Sequence, residues 1–229
     1  MPLLGKILGG NLLYYPGCLY STILQERSNK YLTLLREIGY DPIMLEDAKC
    51  CGSPLLSSGM SNLYEEIAER NRSLFEEHRV ERIVSPCPSC VENLRNQGHE
   101  AVHITVLLAE KRSFLKPSIS PCDVSFHDPC HLARSLRTTD EPRQILTHLG
   151  FNVVEPEYCG VFTLCCGGGG GVKARYSELS LEMARRRLEG FHSKYVVTSC
   201  PMCLLNMEEA NRKFSLGKKI YDLIDLIST

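Results

Sequence analysis

The sequence has no tryptophan, no excess of either charge and no long apolar run, and two of these absences exclude whole classes of function. Lysine and arginine number 26 against 27 aspartates and glutamates, a net charge of −1. A chain so balanced offers no electrostatic case for nucleic acid or for an anionic membrane surface. No stretch approaches the ~18 apolar residues that a membrane-spanning helix needs, so direct membrane insertion is not expected. Near the start, Leu3, Leu4, Ile7 and Leu8 cluster around Lys6, but Gly5, Gly9 and Gly10 interrupt them and no small-residue cleavage site follows. That argues against a secretory leader, and the expected location is cytoplasmic. A hydrophobic content of 43% and a charged content of 23% are those of a globular protein, and 229 residues bury a core without staples. Cysteine stands out, at 12 residues. This is below the ~8–10% of a short disulfide scaffold. In a reducing compartment so many cysteines point to metal or redox chemistry.

The chain repeats itself. Tyr15-Pro16-Gly17-Cys18 is echoed by His127-Asp128-Pro129-Cys130, and Cys50-Cys51-Gly52 by Cys165-Cys166-Gly167. Ser85-Pro86-Cys87-Pro88-Ser89-Cys90 is echoed by Thr198-Ser199-Cys200-Pro201-Met202-Cys203. The anchors Cys18, Cys51, Cys87 and Cys90 recur 112, 115, 113 and 113 residues later. Spacing this constant indicates a duplication rather than a solenoid, which needs at least three short repeats. Two halves follow, 1–117 and 118–229, joined near Pro117 to Pro121.

Each half alternates strand and helix signals. Asn11–Tyr15, Asp41–Leu45 and Glu81–Ser85 read as strands in the first half. Ile23–Ile38 and Asn62–His78 have helical periodicity, the former stopping at Gly39, and a further helix opens at Val91 after the CxxC. In the second half Asp123–His127, Asn152–Glu155 and Tyr195–Thr198 read as strands, and Ala174–Leu188 as the longest helix. Val102–Leu108 matches Ile220–Leu226. The expected fold class is α/β: two tandem pseudo-symmetric halves, each a small, mostly parallel Rossmann-like sheet flanked by helices. Every motif cysteine follows a strand. A parallel sheet gathers such positions at one edge, the carboxyl ends of its strands. Cys18, Cys50, Cys51, Cys87 and Cys90 should therefore converge, and so should Cys130, Cys165, Cys166, Cys200 and Cys203.

Three chemistries compete for these thiols. Disulfides fit poorly, because neighbouring Cα atoms lie ~3.8 Å apart and a bridge wants roughly 4.4–6.8 Å. A thioredoxin-like pair suits a CxxC at a strand-to-helix junction, where the helix terminus lowers a thiol pKa, but it leaves three cysteines per half unused. A metal centre suits soft thiolates. Zinc or a simple cubane takes four ligands. Five thiols suit a larger or irregular cluster, or a four-ligand cluster beside a reactive thiol. The glycines after each cysteine pair let backbone N–H groups approach sulfur closely and tune a reduction potential.

The doubled Cys…CCG…CxxC pattern resembles the CCG, or cysteine-rich, domain found in the disulfide-cleaving subunit of heterodisulfide reductase and in its relatives. These include the iron–sulfur subunits of glycolate, lactate and anaerobic glycerol-3-phosphate oxidoreductases, thiol:fumarate reductases and some archaeal succinate dehydrogenases. The resemblance runs from about Leu12 to Ile227. It implies a noncubane [4Fe-4S] cluster on Cys18, Cys50, Cys51, Cys87 and Cys90, and another on Cys130, Cys165, Cys166, Cys200 and Cys203. It implies one-electron cleavage of a thiol-derived disulfide, with Cys51 and Cys166 essential to turnover. It also implies a partner, because no ferredoxin-type run of four clustered cysteines is present: a ferredoxin-type or flavoprotein redox subunit, through which the chain is membrane-associated if that partner is. The alternatives are an electron-transfer subunit of a flavoprotein dehydrogenase and a tetrathiolate zinc module, zinc in one half included.

The remaining features read more plainly. Gly167–Gly171 lacks the Lys-Ser/Thr ending of a phosphate loop and suits a tight wrap over a cluster. Cys122 and Cys159 read as small buried hydrophobes. His127 and His131 read either as cluster hydrogen-bond donors or as structural histidines. Arg134 and the run Arg185–Arg187 read as solvated.

Overall fold

The structure, a computed structural model, describes residues 10–229; the apolar cluster at Leu3–Leu8 lies outside them. The chain divides into two units, one ending at Ile104 and the other Thr105–Thr229.

The first unit contains β1 (Asn11–Tyr14), α1 (Gly17–Thr22), α2 (Gln25–Glu37), α3 (Ser53–Ser57), α4 (Ser61–Glu77), β2 (Val80–Ser85), α5 (Pro88–Asn96) and β3 (Ala101–His103). Its sheet has the order β1-β2-β3 and is parallel throughout. The strand expected at Asp41–Leu45 shrinks to a single parallel bridge, Ile43 to Leu13. Ile43 makes two backbone bonds of 2.9 Å to β1, donating to Leu12 and accepting from Tyr14. Ile43 turns both its backbone groups to β1, so Pro42 beside it faces the open edge, where a proline is tolerated and no further strand can pair. The helix expected from Ile23 starts later, because Leu24 leaves helical geometry (φ −111°, ψ 35°) and separates α1 from α2. It ends as expected, before Gly39 at φ +96°. The helix after the first CxxC starts earlier than expected, at Pro88 inside the motif, where proline is preorganised for a first turn.

In the second unit, α6 (Ile104–Glu110), whose first residue closes the unit before, leads to β4 (Lys116–Pro117), β5 (Asp123–Phe126), a π-type turn at His131–Ser135, α7 (Asp140–His148) and β6 (Asn152–Val153). Next come α8 (Val172–Arg175), α9 (Ser177–Glu189), β7 (Tyr195–Thr198), α10 (Pro201–Lys213), β8 (Lys219–Asp222) and β9 (Ile227–Ser228). The parallel sheet runs β6-β5-β7-β8, and β4 pairs with β9 antiparallel. This order repeats that of the first unit, with β6 standing where Ile43 makes its bridge. The long helix expected over Ala174–Leu188 is interrupted at Tyr176 (φ −134°, ψ 62°), which separates α8 from α9. At 13 residues α9 only equals α10. The α/β fold class with parallel sheets is as expected. No helix among the described residues is long and apolar enough to cross a membrane.

Both cores lie between sheet and helices. In the first, Tyr14, Leu35, Phe75, Ile83 and Leu94 are buried. In the second, Leu181, Leu188, Phe191, Val196 and Met207 pack together with Cys166, Cys200 and Cys203. Each large side chain there stabilises the unit by roughly 1.5–3 kcal/mol. The sulfurs are thus fixed by the same packing that holds the fold.

Candidate metal centres

In the first unit the chain leaves β1 through Gly17 (φ +72°) and enters α1, which carries Cys18. A Cβ on Gly17 would lie 2.8 Å from Cys90 Sγ, so only glycine lets the backbone come this close. Cys50 and Cys51 precede α3, and Gly52 (φ +86°) turns the chain into it. Cys87 is the N-cap of α5 and Cys90 sits in its first turn. The five sulfurs form one line of contacts, Cys18 to Cys50 to Cys51 to Cys90 to Cys87. Hydrogen bonds from Cys18 and Cys51 pull the Cys50 thiol down to about 2. The same bond to Cys50 pushes Cys18 up, and the bond between Cys50 and Cys51 raises Cys51 to about 12. Cys87 is lowered first by the Cys90 thiol, then by the N–H groups of Cys90 and Ser89 at the helix start. Five thiols in mutual contact form a set from which a metal displaces protons as it binds.

The second unit builds the same line: Cys130 to Cys165 to Cys166 to Cys203 to Cys200. Cys166 and Cys203 sulfurs are 3.2 Å apart. Cys165 is pulled down to about 2 by Cys130 and Cys166, as Cys50 is by its neighbours. The glycine run lies against the sulfurs: Gly167 N–H donates to Cys165 at 3.3 Å and Gly168 N–H to Cys166 at 3.4 Å. All twelve cysteines are free of disulfides. Cys18 is exposed, whereas Cys51, Cys90, Cys166, Cys200 and Cys203 are buried. Cys122 and Cys159 are only half-buried and stand apart from both lines.

Two asparagines hold the cysteine pairs, and sequence reasoning passed over them. Asn93 Nδ2 donates to the Cys51 carbonyl, and Gln97 Nε2 donates to it as well at 2.9 Å. Asn206 Nδ2 donates to the Cys166 carbonyl at 2.7 Å, and its Oδ1 accepts from Ser180 Oγ at 3.1 Å. The signal was available: each stands three residues after the last cysteine of its CxxC, in Cys90-Val91-Glu92-Asn93 and Cys203-Leu204-Leu205-Asn206. Replacing Asn206 with leucine leaves a buried carbonyl and a buried hydroxyl without partners. The expected loss is about 1–3 kcal/mol of stability, read from the urea midpoint of the metal-loaded protein.

A second network ties the Cys130 turn to the loop before Cys165. Asp128 is 1% exposed. Arg143 grips it with two bonds of 2.8 and 2.9 Å and reaches Glu155 as well. The Asp128 carboxylate also accepts Gly160 N–H at 2.7 Å, and its carbonyl accepts Thr163 Oγ1 at 3.0 Å. Arg134 is exposed, yet its Nη2 donates to the Thr163 carbonyl at 2.7 Å and closes the same loop.

The two sites differ at one matched pair of positions. In the first, buried Tyr15 meets Phe75 edge-on and donates its hydroxyl to the Lys49 carbonyl at 2.5 Å. In the second the corresponding residues are His127 and Arg187. Arg187 belongs to the run expected to be solvated, and here the structure overturns that expectation. Arg185 and Arg186 pair with Glu182 on the outer face of α9, while Arg187, 2% exposed, turns inward. Its Nε donates to His127 Nδ1 at 3.0 Å, its Nη1 donates to the Tyr158 carbonyl at 2.9 Å, and its guanidinium lies 4.3 Å over Phe191. Burial, with the arginine beside it, drives His127 down to about 3, and burial lowers Arg187 to about 10. A ring nitrogen of His127 and the sulfurs of Cys166 and Cys203 all lie within 4.8 Å of one another.

The donor chemistry fits an iron–sulfur group. The sulfurs are soft thiolates, close together and met by backbone N–H groups. At the second site a buried cation that forms no ion pair among the described residues calls for an anionic neighbour.

Known proteins agree on the family. The cysteine-rich domain, CCG, matches residues 12–95 and again 124–208. One subunit of the CoM/CoB fumarate reductase of Methanothermobacter marburgensis is 30% identical over 97% of this chain and 47% of the relative. One subunit of the dihydromethanophenazine:CoB–CoM heterodisulfide reductase of Methanosarcina acetivorans is 29% identical, over 95% and 58%. EtfAB:quinone oxidoreductase of Syntrophomonas wolfei is 28% identical, over 78% and 28%. The chain spans about half the length of the first two of these relatives. Among solved structures, glutamate racemase RacE1 of Bacillus anthracis aligns over 95% of this chain and 78% of that one, at 8% identity and a TM-score of 0.42, a likeness too loose to bear on function.

Proposed function

The chain belongs to the CCG cysteine-rich domain family, carrying two copies of the domain, and from that premise we propose that it is an iron–sulfur oxidoreductase subunit that reduces a thiol-derived disulfide. Cys18, Cys50, Cys51, Cys87 and Cys90 would hold one [4Fe-4S] cluster of the noncubane type, and Cys130, Cys165, Cys166, Cys200 and Cys203 the other. The observation that carries the reading is the unbroken line of five unpaired thiols, formed once in each unit. Such clusters supply one-electron transfer. The chain's own residues shape the sites: Gly17 brings the backbone against Cys90, Gly167 and Gly168 donate to sulfur, and Asn93 and Asn206 fix the cysteine pairs. Beside Cys18 and Cys50 opens a cavity of about 690 Å³, lined in part by Tyr15, Gln25, Asn29 and Glu46. It is large enough for a small disulfide to approach the first site. Electrons come from a ferredoxin-type or flavoprotein partner.

A second reading, an electron relay for a flavoprotein dehydrogenase, draws support from the likeness to EtfAB:quinone oxidoreductase. One experiment separates the two. The protein is purified without oxygen, assayed for iron and acid-labile sulfide, and offered disulfides with reduced viologen as donor. Iron, sulfide and disulfide turnover are expected. Intact clusters that reduce no disulfide, yet are rapidly reduced by a flavoprotein, would replace catalysis with relay. Stoichiometric zinc without sulfide in both halves would reject both.

A further inference from the structure

We propose that Arg187 and His127 make the two centres unequal, holding the second at a higher reduction potential than the first, so that electrons settle in the second half. The inference rests on the reading of the thiol sites as iron–sulfur centres.

The argument begins with charge. Arg187 is 2% exposed, and a buried guanidinium without a counter-ion is costly. The carboxylate that would otherwise answer it, Asp128, is already gripped by Arg143 and Gly160. Asp128 still exerts the largest attraction on Arg187, and the sulfurs of Cys159, Cys203 and Cys166 add to it; of these, Cys203 and Cys166 would be anionic once they hold a cluster. A site with such a neighbour stabilises added negative charge, and reduction adds one electron. In a buried environment this favours the reduced state more than it would in water.

Hydrogen bonding points the same way. Because Arg187 Nε donates to His127 Nδ1, that nitrogen accepts and the ring proton sits on Nε2. Nε2–H is buried and has no protein partner, and the same is true of Arg187 Nη2. Two orphaned donors therefore accompany a pair of sulfurs that a ring nitrogen approaches within 4.8 Å. With its proton on Nε2 and Nδ1 occupied, His127 acts as an N–H donor and not as a metal ligand. Among the described residues, the matched positions of the first site carry neither a charge nor an orphaned donor. Phe75 carries no charge, and the Tyr15 hydroxyl is spent on the Lys49 carbonyl. His127 and Arg187 are thus positioning residues that set a potential.

The test is an EPR-monitored redox titration of protein purified without oxygen, for the parent chain and for Arg187→Met, Arg187→Lys, His127→Phe and His127→Gln. Two midpoints are expected in the parent. Arg187→Met should shift the more positive one downward and leave the other in place. His127→Phe should shift the same midpoint by less, while Arg187→Lys and His127→Gln, which keep the charge or an N–H, should restore most of the difference. Midpoints that stay put, or that move together, would overturn the proposal. Loss of half the iron in His127→Gln and Arg187→Lys would also overturn it, since His127 would then be a ligand or the pair merely structural. A parent chain without iron and sulfide would bring down the underlying reading, and this inference with it. Intact clusters with unmoved midpoints would bring down the inference alone.

Discussion

Under the proposed function, replacing Cys166 with alanine is expected to abolish disulfide turnover with reduced viologen and to remove about half of the iron and labile sulfide. Cys51→Ala should do the same in the first unit. Each occupies the middle of its line of sulfurs, in contact with Cys50 and Cys90 or with Cys165 and Cys203. Each is also buried in the core, at 3% exposure, so water cannot easily stand in for the lost thiolate. Cys122→Ala and Cys159→Ala, outside both lines, should keep full metal content and activity. Metal and sulfide analysis beside the viologen assay decides the matter. Full turnover in Cys166→Ala would remove that residue from the site.

The second large effect is on stability. Asp128→Ala takes from Arg143 its buried partner, leaving it Glu155 and the Thr139 carbonyl, and leaves Gly160 N–H without its acceptor, and should cost about 1–3 kcal/mol. Urea unfolding of the loaded protein gives the value. Asp128→Asn is the informative control: it preserves shape and one acceptor but loses the charge, and should recover only part of the loss. The loop from Gly160 to Thr163 hangs on this residue and leads directly into Cys165. Asp128→Ala should therefore also slow reconstitution of the second site, whereas the first site loads at the normal rate.

Much of this architecture was legible in the sequence because the duplication writes each feature twice. The cysteines, the glycine after each cysteine pair and the alternation of strand and helix all follow from motifs aligned across the two halves. Where the halves differ, alignment gives no warning. Nothing in the composition of Arg185–Arg187 separates an arginine that turns inward from two that pair with Glu182, since only the phase of α9 against β5 decides it. Propensity failed at two places: the strand at Asp41–Leu45 shrinks to one bridge, and Tyr176 cuts a helix in two. Asn93 and Asn206 were readable from their shared spacing, but an asparagine in a helix carries no chemical flag until its carbonyl partner is known.

The parallel sheets also govern the order of events during synthesis. Asn11 pairs with Val80, and Val124 with Tyr195, so the central pairing of each sheet must wait until most of the unit has been made. Such non-local pairing is slow, because loop-closure entropy opposes it before any contact forms. Until then the cysteines of a half are scattered along a loose chain and open to oxidation or to wrong pairing. Each unit must therefore close before it can be metallated, and the first can do so while the second is still on the ribosome.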